Sequence, residues 1–442
     1  MNWKTVLILG VIFIIGGGIA GVTLAPGSPE LLLQNEILSG TQFVQLKFSR
    51  SMDSDSVADG LNFNPPQDVS LEWNPAGDLM TITPRNPWPA GSTVVLNLKS
   101  GVRSRLRLPI LEEHSWEVEI SPFLLSYLWP ADGTSNLYFL NPETGESQQL
   151  TTEPEGIMDY NPLPDGLGMI FSVPKSTGGS QIKILDRDTG NTEVVLDCQE
   201  SFCRSPQVGP DGNWIAYETY PLTSNGNPTI QLYNLNTEEI VDLGSNKTWL
   251  ENPLWSSIGW LSFYDRSGSE FILWELTGDQ KLTIDNETGG TGSWSRAGEY
   301  FTATEIYNLT DTLAPRHLLE FELETEQIKD LTGAGFFEDL NPVYSPQRND
   351  LIFARKSLVP EQWTPGRQIW ILEALDREPK QLTFAADYNH SSFAWHPDGS
   401  EIAYVRYNQT SPSEVPELWM ISRDGSDNYR LVINGFSPNW IR

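Results

Sequence analysis

The segment Val208–Tyr220, VGPDGNWIAYETY, returns almost unchanged at Ala394–Tyr407 as AWHPDGSEIAYVRY. Self-similarity at a spacing of tens of residues restricts a chain more than composition does, because each repeat is one small unit that buries its apolar face only by stacking on the next. The unit opens with a Pro-x-aromatic slot, read at Pro206 (PQV), Pro253 (PLW), Pro342 (PVY) and Pro438 (PNW), with Trp294 and Trp395 in the same place. A turn follows, GPDG at Gly209–Gly212 and HPDG at His396–Gly399. Proline presets φ near −65° and glycine closes the turn without strain.

Each turn leads into an apolar strand, then a variable loop, a third strand and a fourth. Second strands read WIAYETY, WLSFYD, YFTATEIY, LIFARK and IAYVRY, and third strands read NLYFLN, QIKILD, IQLYNL, FILWEL, HLLEFEL, QIWILE and ELWMIS. Four antiparallel strands per repeat with no helix between them predict a β-propeller. The third strand occurs seven times, but the first copy lacks its own Pro-x-aromatic strand, and SPNWIR at Ser437–Arg442 is that strand with nothing after it. The C-terminus is therefore expected to complete the first blade and to remove two open sheet edges. The expected count is seven blades, with six as the alternative.

These repeats resemble the TolB-type (WD40-like) β-propeller, whose unit reads roughly P-x-W-S-P-D-G-x-x-I-A-F. The resemblance is strongest at Cys203–Gly244, Asn341–Thr383 and Phe393–Val432. It weakens where NPLPDG (Asn161–Gly166) puts Pro164 in the aromatic slot and where SSIG and SRAG replace the Pro-Asp-Gly turn. It implies a scaffold that presents a protein-binding surface.

Upstream, residues 26–121 alternate apolar and polar residues over short stretches such as TQFVQLKF, DVSLEW and LMTITP, as half-buried strands do. About seven short strands suggest a small β-sandwich. FSRSMDSDSV, ITPRNPWPAGSTVVLNL and WEVEI resemble bacterial Ig-like domains of envelope proteins, which implies a spacer or adhesive module. Thr5–Ala25 carries no charge and spans about 30 Å as a helix, enough for a membrane anchor. With Lys4 before it, the expected arrangement is a single-pass membrane protein, N-terminus cytoplasmic and bulk extracytoplasmic, on the periplasmic side or the cell surface. A cleavable signal peptide ending near Gly18-Ile19-Ala20 is the competing reading. The expected divisions are 1–25 stub and anchor, 26–121 sandwich and 122–442 propeller.

The formal net charge is −30. A surface so acidic repels phosphate backbones, so nucleic acid is not an expected partner. Cys198 and Cys203 are the only cysteines; in an oxidising compartment they close a small loop, and otherwise they remain free thiols. Nucleophile elbows, P-loops, zinc-binding His pairs and dinucleotide fingerprints are absent from the sequence. His396 occupies a turn slot and His390 a segment between blades. DRDTGN and SRDGSDN lack the terminal Glu of a calcium loop. No catalytic residue, metal or cofactor is expected.

Connections between second and third strands are long, and by topology they emerge on one face together with the links between blades. Elaborated loops on a rigid scaffold are where binding resides. The candidate contacts on this face are Trp129, Tyr220, Tyr307, Trp363, Arg367 and Tyr407. The expected partner is an envelope or extracellular protein or glycan. The alternatives are a propeller-based lyase or hydrolase with its site at the channel mouth, or a purely structural surface-layer component.

Overall fold

The computed structural model describes residues 29–33, 37–38, 40, 42–223, 226–245, 247–278, 280–306, 314–333, 335–375 and 377–441. They divide into two compact units, one reaching Pro122 and one running from Phe123 to Ile441.

The smaller unit is two four-stranded sheets. One has the order Pro29–Leu32, Val44–Phe48, Leu79–Pro84, Val69–Trp73; the other Ile37–Leu38, His114–Ile120, Thr93–Leu98, Leu61–Asn64. Alternate residues of both sheets, among them Leu46, Phe48, Met80 and Ile82 facing Leu96, Leu98, Val118 and Ile120, fill one core. The period-2 patterning dictates this, since each strand has one apolar face to hide. The helix Ser54–Gly60 was not expected; Asp53 caps it by accepting the Ser56 N–H at 3.2 Å.

The larger unit contains seven successive four-stranded antiparallel groups. The second, for example, is Asp159–Pro162, Gly168–Pro174, Ser180–Asp186 and Thr192–Cys198, and the sixth is Phe337–Tyr344, Leu351–Ser357, Gln368–Leu372 and Pro379–Gln381. The first group takes its first strand from the far end of the chain: Phe436–Ile441 pairs antiparallel with Leu124–Trp129, Trp440 lying opposite Leu125. A single parallel contact, Arg316 opposite Glu338, links the fifth and sixth groups into one eight-stranded sheet. No sheet closes on itself as a barrel would. Side chains join neighbouring groups instead. Leu128 and Phe139 meet Tyr160 and Phe171 between the first and second groups, and Ile352 and Ile369 meet Phe393 and Ile402 between the sixth and seventh. Leu125 and Tyr127 of the first group meet Ala403, Leu418 and Met420 of the seventh. First strands of neighbouring groups touch one another, which places them around the axis.

Repeated residues have repeated jobs. The indole N–H groups of Trp294, Trp395 and Trp440 each donate to a carbonyl on the preceding group's first strand, Leu254 (3.2 Å), Val343 (3.0 Å) and Ala394 (3.1 Å). In five of these turns the common element is glycine: Gly166, Gly212, Gly259, Gly298 and Gly399 all have φ between 73° and 88°, even where Ser-Ile and Arg-Ala replace Pro-Asp; the sixth group turns at Ser345–Asp350 without one. The sequence reading missed the residue just before the Pro-x-aromatic slot. Ser205, Asn252, Asn341, Ser392 and Ser437 have φ of 50–59°, and the ladder register shifts there in each first strand. Each is a β-bulge, a place where a proline that cannot donate to the ladder does no harm.

Cys198 and Cys203 form a disulfide joining the last strand of the second group to the first strand of the third. The single-pass membrane arrangement is corrected: among the described residues no helix is long and apolar enough to cross a membrane, and the one α-helix has seven residues. Thr5–Ala25, on which that expectation rested, lies outside the described residues.

Candidate binding site on the loop face

Second strands run toward the long-loop face and first strands begin there, so the residues at these ends meet around one mouth. Tyr307 lies outside the described residues. Of the other five candidates, three are brought together. Arg367, just before the third strand of the sixth group, donates from Nη2 to Glu338 Oε2 at 2.6 Å, and its backbone N–H donates to Asn389 Oδ1 at 3.2 Å. Asn389 Nδ2 in turn donates to the Tyr407 hydroxyl at 3.0 Å. Trp363 joins through Lys356, whose ammonium lies 4.3 Å from the centre of the indole ring, a cation–π contact. Trp363 is 52% exposed and Tyr407 38%. Trp129 and Tyr220 lie apart from this patch: Trp129 donates to the Ile433 carbonyl at 3.2 Å and Tyr220 to Glu218 Oε2 at 3.1 Å.

Charge concentrates beside Trp363. Glu338 is gripped by two guanidiniums, Arg316 on one carboxylate oxygen and Arg367 on the other. Lys356 stands opposite Glu338 in the strand ladder, yet among the described residues the one hydrogen bond of its ammonium goes to the Pro365 carbonyl at 3.4 Å. Burial, then the neighbouring Arg367 guanidinium, hold the Lys356 ammonium below its usual pKa.

A second cluster lies between the second and fourth groups. Glu218 is 5% exposed and accepts from the Asn252 N–H at 2.6 Å, from Tyr220 and from Ser205. Burial pushes its carboxyl above the usual range, and Asp159 adds to this. Its partners Ser205 and Asn252 are two of the bulge residues, so Glu218 pins neighbouring first strands together. Asp159 is itself paired with Arg204 at 2.9 Å. Among the described residues no three His, Cys, Asp or Glu side chains gather as a metal-ligand set.

His390 is on the first strand of the seventh group rather than in a loop. It is 1% exposed, and its Nδ1 donates to the Arg367 carbonyl at 2.7 Å. Burial depresses its pKa to about 4. The folded protein therefore holds this ring neutral, while the unfolded chain protonates it near pH 6.5. Its contribution to stability is complete above that value and is lost as pH falls toward 4, to a total of about 3 kcal/mol. Urea denaturation at stepped pH should show the wild-type chain losing more stability between pH 7 and 4 than His390→Gln; equal slopes refute this.

The opposite, tight-turn face carries a feature the sequence reading missed. Trp255 occupies the repeated indole slot, but among the described residues its buried N–H has no partner. It lines a cleft of about 360 Å³ with Trp214, Pro210, Ile258 and Leu276. The SSIG departure at Ser256–Gly259 marks this place in the sequence.

No protein-family model and no curated protein matches the chain. Among solved structures, the β-propeller domain of the Trilobed protease from Pyrococcus furiosus, described as having an open Velcro topology, is similar over 82% of this chain and 95% of its own, with TM-score 0.50 and 10% identity. The larger unit has a β-propeller fold. A prolyl endopeptidase matches over 78% of this chain and 49% of its own, with TM-score 0.53 and 13% identity. TolB from Acinetobacter baumannii matches over 86% and 83%, with TM-score 0.47 and 12% identity. At such identities the likeness concerns the propeller fold alone. The resemblance of the smaller unit to bacterial Ig-like domains finds no support in these comparisons.

Proposed function

We propose that this chain is a seven-bladed propeller, fastened by its C-terminal strand, that serves as a binding scaffold and recognises a protein or glycan partner through the loop face of its fifth to seventh blades. One observation carries this reading: Trp363, Arg367 and Tyr407, from a loop and two different blades, belong to one continuous patch tied by Asn389 and Lys356. Side chains fixed by such bonds before a partner arrives lose little freedom on binding. Exposed aromatic residues beside cations are the usual anchors of such surfaces. For the enzymatic alternative the mouth offers Glu218, but three donors already occupy its oxygens, which suits holding the bulges better than moving a proton.

The test is capture by the immobilised full chain from an extract of the source cells, run beside Trp363→Ala, Tyr407→Ala and, as a control on the other face, Trp255→Phe. A partner retained by wild type and Trp255→Phe but lost on both loop-face variants supports the reading. A partner indifferent to Trp363 and Tyr407, or no retained partner, counts against it.

A further inference from the structure

We infer that the patch beside Trp363 is a receptor for a single peptide carboxylate, which deepens the binding-scaffold reading above and rests on it. The chain holds 58 acidic residues against 28 Lys and Arg. Beside Trp363 that ratio is inverted: Arg316, Lys356 and Arg367 surround one carboxylate, Glu338. Each oxygen of Glu338 is engaged by one guanidinium. Among the described residues the buried Nε of Arg316 and that of Arg367 have no hydrogen-bond partner, although Arg367 Nη1 also reaches Asn389 Oδ1 at 3.4 Å, so neither guanidinium is saturated. Lys356 makes no ion pair within 4.0 Å among the described residues and holds one long hydrogen bond. Cations this close repel one another; burial first, and then the neighbouring Arg367 guanidinium, lower the pKa of Lys356. One added negative charge balances the site better than the resident carboxylate does alone.

The geometry also selects the kind of anion. A phosphate dianion needs the free forks of guanidinium groups, and here one nitrogen of each is committed to Glu338, whose own charge repels a dianion more than a monoanion. A partner with many acidic groups is repelled by a protein of net charge −30. A uronic acid brings several hydroxyls, whereas the neighbouring Asn389 and Tyr407 are already bonded to each other and to Arg367. What remains is one carboxylate next to an apolar group, the latter resting on the exposed ring of Trp363. A polypeptide chain end supplies that combination, as does a lone acidic side chain beside an apolar residue.

The experiment is ligand-observed NMR titration of the full chain with N-acetyl-alanyl-leucine, its C-terminal amide, N-acetyl-glutamyl-leucinamide, glucuronate and inorganic phosphate. Binding of an acid-bearing peptide, with the neutral amide at least tenfold weaker, is expected. Lys356→Gln should weaken the acid at least tenfold, and rising salt should weaken it further, as screening requires. Because Lys356 has no ion pair to lose, this variant keeps its fold, and Arg367→Gln provides a second reading of the same effect. Preference for N-acetyl-alanyl-leucine identifies a chain end, and binding of N-acetyl-glutamyl-leucinamide identifies an acidic side chain. Equal binding of acid and amide, tighter binding of phosphate or glucuronate, or indifference to Lys356→Gln overturns the inference. A captured partner that depends on Trp363 but not on Lys356 leaves the scaffold reading standing and removes this one.

Discussion

Asp339→Ala should cost about 3–5 kcal/mol of folding stability, the usual cost of leaving one member of a buried ion pair alone. Asp339 is wholly buried and Arg355 is 5% exposed. They are joined by two parallel bonds, Nε to Oδ1 at 2.6 Å and Nη2 to Oδ2 at 2.7 Å. The guanidinium also lies among three aromatic rings, 4.3 Å from Phe337, 4.9 Å from Trp370 and 5.1 Å from Phe353. That enclosure leaves water no access to the charge once the carboxylate is removed. Replacing both partners with apolar residues, Asp339→Leu with Arg355→Met, should recover most of the loss, because the stranded charge disappears with its partner. Urea denaturation of the three proteins measures both effects. A loss below about 1 kcal/mol for Asp339→Ala would show the pair to be no more consequential than an ion pair on the surface.

Cutting the chain after Gly435 should have a larger effect. Phe436–Ile441 contributes the fully buried Ile441 and the Trp440 indole bond to Ala394. It also supplies carbonyl acceptors at Asn439 for Ser126 (2.8 Å) and at Ser437 for Tyr160 (2.5 Å). Fully burying Ile441 is worth about 1.5–3 kcal/mol, the half-buried Phe436 and Trp440 add to it, and each hydrogen bond contributes about 1 kcal/mol more. The cut also bares the Leu124–Trp129 edge, an invitation to association between molecules. A fall in Tm of at least about 10 °C, together with oligomers on size exclusion, is expected. A synthetic peptide of residues 436–442 added to the cut protein should reverse part of both changes. A truncated monomer melting within about 3 °C of the intact chain would mean that this strand is dispensable.

The repeat was legible because it combines two signals that survive without tertiary context: alternation along each strand, and a positive-φ glycine in five of the turns between first and second strands. Hence the strand motifs from NLYFLN to ELWMIS, and the pairing of SPNWIR with FLLSYLW, could be read directly. The bulges were not read, although Ser-Pro or Asn-Pro stands at four of the five positions, because neither dipeptide alone demands a left-handed residue. The site was legible only in part. Loop lengths pointed to the rim where Trp363, Arg367 and Tyr407 gather, but the grip of Arg316 and Arg367 on Glu338 joins residues from two blades whose register no single repeat encodes. Trp129 and Tyr220 share the rim by topology and belong to other neighbourhoods. The helix at Ser54–Gly60 escaped because its two turns sit among strand patterns and only Asp53 announces it.

The outermost strands of the propeller have a consequence for crowded solution. Four of them are three residues long, Ser147–Gln149, Ile240–Asp242, Ile328–Asp330 and Pro379–Gln381, too short to template another chain. Thr192–Cys198, Gln280–Asp285 and Asn428–Ile433 are at least twice that length. If molecules ever adhere rim to rim on concentration or partial heating, adhesion should begin at these three, and a single lysine at Val194, 47% exposed, is where such clumping is most economically prevented.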